Sequence, residues 1–367
     1  MKQSQLDQPL LVALFLALGI GLVQVYSASY IFAIENHNDG LFYFKRQLIF
    51  AVLSVLLFWV VYSTPWKWIE KFAKWAWIPL TLLLLATLYA PNAVKVNGAS
   101  RWLQLPFFRL QPSEILKVFV PLMWASLFLS YKFVKENWWK DLLKLAIFLF
   151  PVFLLLKQPD FGTFFICFVT ILSILFAYGM KWRYIFTSSA VASIVFLAMI
   201  WMVPYRRARL MTFFDPWSDA NGSGFQVIQS MMSFYSGGLT GVGLGQGQGK
   251  LFFLPEAHTD FTLAVLAEET GFLGLLVVIC LYAYIIFKSM QISIQAKTKF
   301  QQCVAVGLVS CFSFQVFINM GVAMGMLPTK GITLPFLSYG GSSLLGVGIL
   351  FGLLMNIKRN SVHEAEA

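Results

Sequence analysis

The chain has 367 residues, of which 59% are hydrophobic, 17% aromatic and only 12% charged. A water-soluble globule of this length cannot hide so much apolar surface, so the composition excludes a soluble enzyme or binding domain and implies a polytopic membrane protein. The net charge of +11 must then be distributed over loops, where Lys and Arg bias sets orientation.

Apolar runs near the bilayer-crossing length of about 17 to 25 residues occur at 9–32, 47–63, 75–89, 114–131, 142–156, 161–180, 184–203, 261–287, 303–326 and 335–357. The expected fold is an all-α polytopic membrane protein of roughly ten transmembrane helices forming one domain, the third and fifth runs being the shortest. The first run follows Lys2 and ends in Ser27-Ala28-Ser29, as a signal peptide would. It exceeds an h-region of about 7 to 15 residues and many spans follow, so a retained first helix is expected. Cys167, Cys280, Cys303 and Cys311 fall within or at the ends of apolar runs without CxxC spacing and read as small core residues. His37, His258 and His363 are too scattered to suggest a zinc site.

With a cytoplasmic N-terminus, the inner loops carry Lys67, Lys71, Lys74, Lys132, Lys135, Lys140, Lys144, Lys181, Arg183, Lys288, Lys297, Lys299, Lys358 and Arg359, the expected bias. The outer side still keeps Lys45, Arg46, Lys95, Arg101, Arg109, Lys157, Arg206, Arg207, Arg209, Lys250 and Lys330. Outer cations in such number call for an anionic ligand there. The two longest loops, about 90–113 and 204–260, also fall outside, and long loops are usually functional. The second opens with Tyr205-Arg206-Arg207-Ala208-Arg209 and is too aromatic for a disordered linker, so a cap over the bundle is expected. Its glycines between Gly237 and Gly249 lack the preceding strand and Lys-Ser/Thr of a nucleotide-binding loop. They read as a hinge.

Ionisable residues at the span boundaries are the strongest functional signal, because charge at membrane depth costs free energy and is usually kept for a partner or a function. Glu114 and Lys117 are three apart on one helix and can pair. Asp160 and Asp260 stand at the starts of the sixth and eighth spans, where helix capping is the competing explanation. Capping does not account for His258, Asp260, Glu114, Lys117 and the outer arginines gathering on one side. At about 100° per residue, Glu268 projects near the Asp260 side of the eighth span and Glu269 away from it. Lys330 precedes the tenth.

Long ordered strings carry a family resemblance: Asn97-Gly98-Ala99-Ser100-Arg101-Trp102, Gln111-Pro112-Ser113-Glu114 through Lys117, Gln158-Pro159-Asp160-Phe161-Gly162-Thr163, Leu254-Pro255-Glu256-Ala257-His258-Thr259-Asp260-Phe261, Ala267-Glu268-Glu269 and Ser338-Tyr339-Gly340-Gly341-Ser342-Ser343. Over essentially its whole length the chain resembles the SEDS family (shape, elongation, division and sporulation). Leu327-Pro328-Thr329-Lys330-Gly331-Ile332-Thr333-Leu334-Pro335 and Asp215-Pro216-Trp217 point to its division-type members. The stretch from Gly245 to Leu251 is more glycine-rich than the family pattern.

The resemblance implies a peptidoglycan glycosyltransferase polymerising lipid II at the outer face of the bacterial cytoplasmic membrane, with both termini cytoplasmic. It also implies a class B penicillin-binding protein as partner, packed near the eighth and ninth spans and the 204–260 loop, other division proteins, and no nucleic acid. The residue matching the family's catalytic acid is Asp260. A carboxylate there can deprotonate the acceptor sugar's 4-hydroxyl for an inverting attack. The undecaprenyl pyrophosphate leaving group needs positive charge from Lys117, Arg101, Lys330, the Arg206 to Arg209 cluster, or a divalent cation, Mg2+ or Mn2+, with no nucleotide required. Glu114, Asp160, His258 and Glu268 complete the expected substrate-binding set, and the Ser338 to Ser343 turn is expected mainly to pack helices. The competing activities are a lipid II flippase, which needs charges spread through the membrane thickness, and a non-catalytic division scaffold, for which Asp260 would be dispensable.

Overall fold

The computed structural model describes residues 6–363 except 97–98, 107, 131–137, 203, 223, 251–256 and 330. The described chain is a helical bundle: α1 (Gln8–His37), α2 (Phe42–Ser63), α3 (Trp66–Ala73), α4 (Trp77–Tyr89), strands β1 (Ala93–Val96), β2 (Ala99–Gln104) and β3 (Arg109–Leu110), then α5 (Pro112–Ser130), α6 (Trp138–Lys157), α7 (Phe161–Tyr178), α8 (Trp182–Trp201), α9 (Pro204–Phe214), α10 (Phe225–Gly237), α11 (Thr262–Gln295), α12 (Lys299–Ala323) and α13 (Gly341–His363). Local chemistry sets several ends. Asp7 caps α1 by accepting the Leu10 N–H at 3.1 Å, and Asn38 closes it in a left-handed turn. Thr298 and Gln301 form a capping box on α12.

Among the described residues seven helices are long and apolar enough to cross a membrane, and eight if α3 and α4, bent by 56° at a short break, act as one span. The helices α6 and α8, of 20 residues each, are the remaining two expected segments and fall outside that count. Two boundaries differ from the sequence reading. The last helix begins at Gly341, because Phe336 takes a φ of 70° that no right-handed helix contains, and residues 332–340 form an ordered loop. The eighth span runs on to Gln295 and is broken at Gly271, whose φ of 69° and ψ of −170° are open only to glycine.

The first and last helices meet at one end of the bundle, where Lys358 Nζ pairs with Asp7 Oδ2. Burial tends to raise the Asp7 carboxyl pKa, but Lys358, the Leu10 N–H and Lys288 outweigh it and the net shift is downward. Midway along its length, α1 passes so close to the α12–α13 loop that a Cβ on Gly21 would lie 2.1 Å from the Phe336 carbonyl oxygen. Gly21→Ala is expected to cost about 1 to 3 kcal/mol through backbone displacement, read as a lower thermal midpoint of the detergent-purified protein.

The 90–113 segment is structured by an antiparallel sheet ordered β1-β2-β3, with Ala93 opposite Leu103 and Leu103 opposite Leu110. The 204–260 segment contains α9, a 3-10 turn at Pro216–Asp219 and α10. Cys167, Cys303 and Cys311 are buried as expected, whereas Cys280 is exposed on α11. Its apolar neighbours in sequence do not distinguish a face turned inward from one turned to lipid.

Candidate functional site

A cavity of about 1490 Å³ opens at the end of the bundle opposite the Asp7–Lys358 pair. The N-terminal end of α2, the sheet, the start of α5, the residues before α11 and the α12–α13 loop form its walls. Four of the expected site residues line it together: Asp260, His258, Arg101 and Glu114.

Asp260 lies just before α11. Asp260 is one residue ahead of Phe261, the N-cap of that helix. A Cβ on Gly331 would stand 3.5 Å from Asp260 Oδ2 and 3.6 Å from Arg101 Nη1, which brings acid and guanidinium together against the same face of Gly331. Arg101 Nη2 donates to the Pro159 carbonyl and Nε to that of Gln158 at 3.4 Å, leaving part of the guanidinium toward the cavity.

Glu114 and Lys117 pair at 2.6 Å as the spacing implies. Only Glu114 reaches the cavity. Lys117 is 3% exposed and donates to Gln315 Oε1 at 2.7 Å, so it stands behind Glu114. Asp160 also lies behind the wall: it caps α7 at the Thr163 N–H, 3.3 Å away, accepts from Ser113 Oγ at 3.0 Å, and is 1% exposed. Lys330 and the side chains of Arg206 and Arg209 lie outside the described residues, and Arg207 is exposed on α9.

Glu268 departs from expectation. It does not line the cavity, and its carboxylate accepts the N–H groups of Gln248, at 2.7 Å, and Gly249, at 3.1 Å. Glu269 pairs with Lys250 at 2.6 Å and accepts from Ser27 at the same distance. The helical projection treats α11 as isolated, but the glycine loop occupies that face. The same loop heals the break at Gly271. Val242 and Gly243 donate to the carbonyls of Glu268 and Glu269, and Phe272 and Leu273 donate to those of Gly238 and Leu239, all at 2.9 to 3.2 Å. These bonds satisfy backbone groups that a broken helix in an apolar setting would otherwise leave unpaired, and the glycines form a fixed splint where a hinge was expected. Hydrogen bonds to a charged group contribute about 1.5 to 3 kcal/mol. Glu268→Ala is therefore expected to speed hydrogen exchange at Gln248 and Gly249 by about 10- to 100-fold, measured by mass spectrometry.

Several participants escaped the sequence reading. His37, read only as one of three scattered histidines, lines the same cavity as the expected His258. The His258 ring lies 5.1 Å from Phe32 and 5.0 Å from Tyr43, and its carbonyl accepts the Tyr339 N–H at 2.8 Å. Arg46 and Arg109, read only as outer cations, line the cavity beside Tyr339. Burial lifts the Tyr339 hydroxyl above its ordinary pKa, against the pull of both guanidiniums. The Ser338 to Ser343 turn packs helices, as Gln47 bonding Ser338 and Gly340 indicates, yet Tyr339 through Ser343 also form cavity wall. Gln315 and Asn319, four apart on the apolar α12, carried the one usable signal, a pair of amides on one face. Among the described residues no three His, Cys, Asp or Glu side chains converge to hold a metal ion.

A family model for the FtsW, RodA and SpoVE cell cycle proteins matches residues 8–363. The chain is 37% identical to a probable peptidoglycan glycosyltransferase FtsW of Geobacter metallireducens, over 95% of this chain and 94% of the relative. It is 35% identical to stage V sporulation protein E of Bacillus subtilis, over 98% and 99%. Among solved structures it resembles a chain from a peptidoglycan synthase complex that coordinates polymerization and crosslinking, with a TM-score of 0.80, 28% identity and coverage of 98% and 99%. The Thermus thermophilus rod shape determining protein RodA shares the fold at a TM-score of 0.70 and 24% identity, over 97% of each chain. A bundle of apolar spans with a polar cavity at one end, matched almost end to end by these relatives, makes this chain a multi-pass membrane protein of the FtsW/RodA/SpoVE family, the SEDS family.

Proposed function

We propose that this protein is a peptidoglycan glycosyltransferase that polymerises lipid II at the outer face of the bacterial cytoplasmic membrane during cell division. The observation that carries the reading is the convergence of Asp260, His258, Arg101 and Glu114 on one large cavity in a chain whose relatives bear that activity in their names. The cavity also has a lipid-facing side. Ile49 and Leu53 of α2 line it while remaining 59% and 41% exposed on the bundle surface, which suits a substrate whose sugars enter a polar chamber while its polyprenyl tail stays in the membrane.

In this reading Asp260 accepts the proton of the acceptor's 4-hydroxyl as that oxygen attacks the anomeric carbon of the donor. The anomeric bond to phosphate breaks with inversion, and undecaprenyl pyrophosphate leaves as an anion that needs no strong acid. Arg101, Arg46 and Arg109 supply the positive field at the cavity wall. Lys117, expected to contact the pyrophosphate, instead holds Glu114 in place. Among the described residues no three ligating side chains converge, and Mg2+ or Mn2+ is proposed as a companion of the pyrophosphate.

A flippase needs a polar path through the bundle. The acidic groups on α11 are tied up, Glu268 by loop amides and Glu269 by Lys250 and Ser27, which disfavours that activity. The proposed partner is a class B penicillin-binding protein on α11, α12 and the 204–260 segment, with other division proteins assembled at the septum. The Asp7–Lys358 pair supports termini on one side, proposed as cytoplasmic. The test is to incubate the purified protein, with its cognate transpeptidase, with lipid II and look for glycan chains on a gel. Polymer is expected, and its absence with demonstrably competent substrate and partner would return the chain to flipping or scaffolding.

A further inference from the structure

Gln315 and Asn319 stand one turn apart on α12, both 2% exposed, in a helix that is otherwise mostly apolar. A buried amide must be hydrogen-bonded, and here the partners are backbone groups of the cavity wall. Asn319 Nδ2 donates to the carbonyl of Asp260 at 3.0 Å and to that of Ile332 at 2.6 Å. Gln315 Nε2 donates to the Thr333 carbonyl at 2.9 Å while its Oε1 accepts from Lys117. The two amides thus fasten α12 to Ile332 and Thr333, and Asn319 joins Ile332 to the backbone of Asp260. Turning the Asn319 amide over would aim its oxygen at two carbonyl oxygens, so its orientation is set.

We infer that Asn319 is a positioning residue for Asp260. It holds the backbone of the proposed base against Ile332, and so fixes the carboxylate relative to Gly331 and to the Arg101 guanidinium that adjoins the same face of Gly331. The inference rests on the reading of Asp260 as the base. A shift of about 1 Å in a catalytic group costs on the order of 100-fold in rate, so loss of the clamp should lower kcat rather than weaken substrate binding.

The molecule contains its own control. Asn356 on α13 is fully buried and donates to the carbonyls of Val61, Tyr62 and Thr64 at 2.7 to 3.0 Å, at the end of the bundle away from the cavity. Asn319→Leu and Asn356→Leu each remove buried amide donors to backbone carbonyls, and both should lower the thermal midpoint. With lipid II and the transpeptidase partner, Asn319→Leu is expected to lose about 10- to 100-fold in kcat per folded molecule with KM within about threefold. Asn356→Leu should stay within about threefold in both. Equal kcat losses in the two variants, or none in Asn319→Leu, would overturn the inference. A second readout needs no turnover: the pH midpoint for modification of Asp260 by a water-soluble carbodiimide, followed by mass spectrometry. It should move in Asn319→Leu and not in Asn356→Leu. If the wild type makes no polymer, the proposed activity fails while this measurement still decides the clamp: an unmoved midpoint overturns it.

Discussion

Replacing Asp260 by Asn is expected to lower lipid II polymerisation by about 100- to 10,000-fold, the usual contribution of a general base. Asn keeps the size of the side chain and its place on the cavity wall but cannot accept the hydroxyl proton, so the variant separates chemistry from folding. The backbone hold on this residue comes through the Asp260 carbonyl, bound by Asn319, and the substitution leaves that bond in place. The check is glycan chain length and amount from purified lipid II, with thermal midpoint and partner assembly matched to the wild type. A variant that folds, assembles and still polymerises at the wild-type rate would remove Asp260 from the chemistry and leave Glu114 as the acid to test at the cavity wall.

Lys117→Met is expected to be the most destabilising single change near the site, by about 3 to 5 kcal/mol, because removing one member of a buried ion pair strands the other. Glu114 would keep a carboxylate that is 6% exposed and has lost a cation 2.6 Å away, and Gln315 Oε1 would lose its donor. Neutralising the partner at the same time relieves the penalty, so Glu114→Gln/Lys117→Met should recover part of the stability lost by Lys117→Met alone. Thermal unfolding of the purified single and double variants measures this. A double variant no more stable than Lys117→Met would show that the lysine acts through Gln315 rather than through Glu114. Polymerisation by the folded double variant is expected to remain impaired, since the wall of the cavity loses its Glu114 charge.

What could be read before folding and what could not follow different physics. Each of the ten apolar runs contains a helix, although the last becomes helical only from Gly341, because a run of apolar residues in an apolar medium must satisfy its own backbone. The Glu114–Lys117 pair was legible for the same reason, since three residues along one helix is a local distance. The break at Gly271 was not legible. A glycine within an apolar helix is commonplace, and only the return of the 238–243 backbone to the same place makes a break affordable there. Glu268 was misplaced on similar grounds, its helical face having been assigned without the loop that covers it.

The sequence by itself determined the class of molecule and where its long apolar helices fall, and brought forward Asp260, His258, Arg101 and Glu114, which line one cavity, because composition, periodicity and motif are local properties of the chain. Tertiary structure alone decided that Lys117 and Asp160 stand behind the cavity wall, that Arg46, Arg109 and Tyr339 form part of it, and that Asn319 holds the Asp260 backbone. Those facts depend on which helix faces come together across separations such as the 59 residues between Asp260 and Asn319, and packing, not local pattern, sets such contacts.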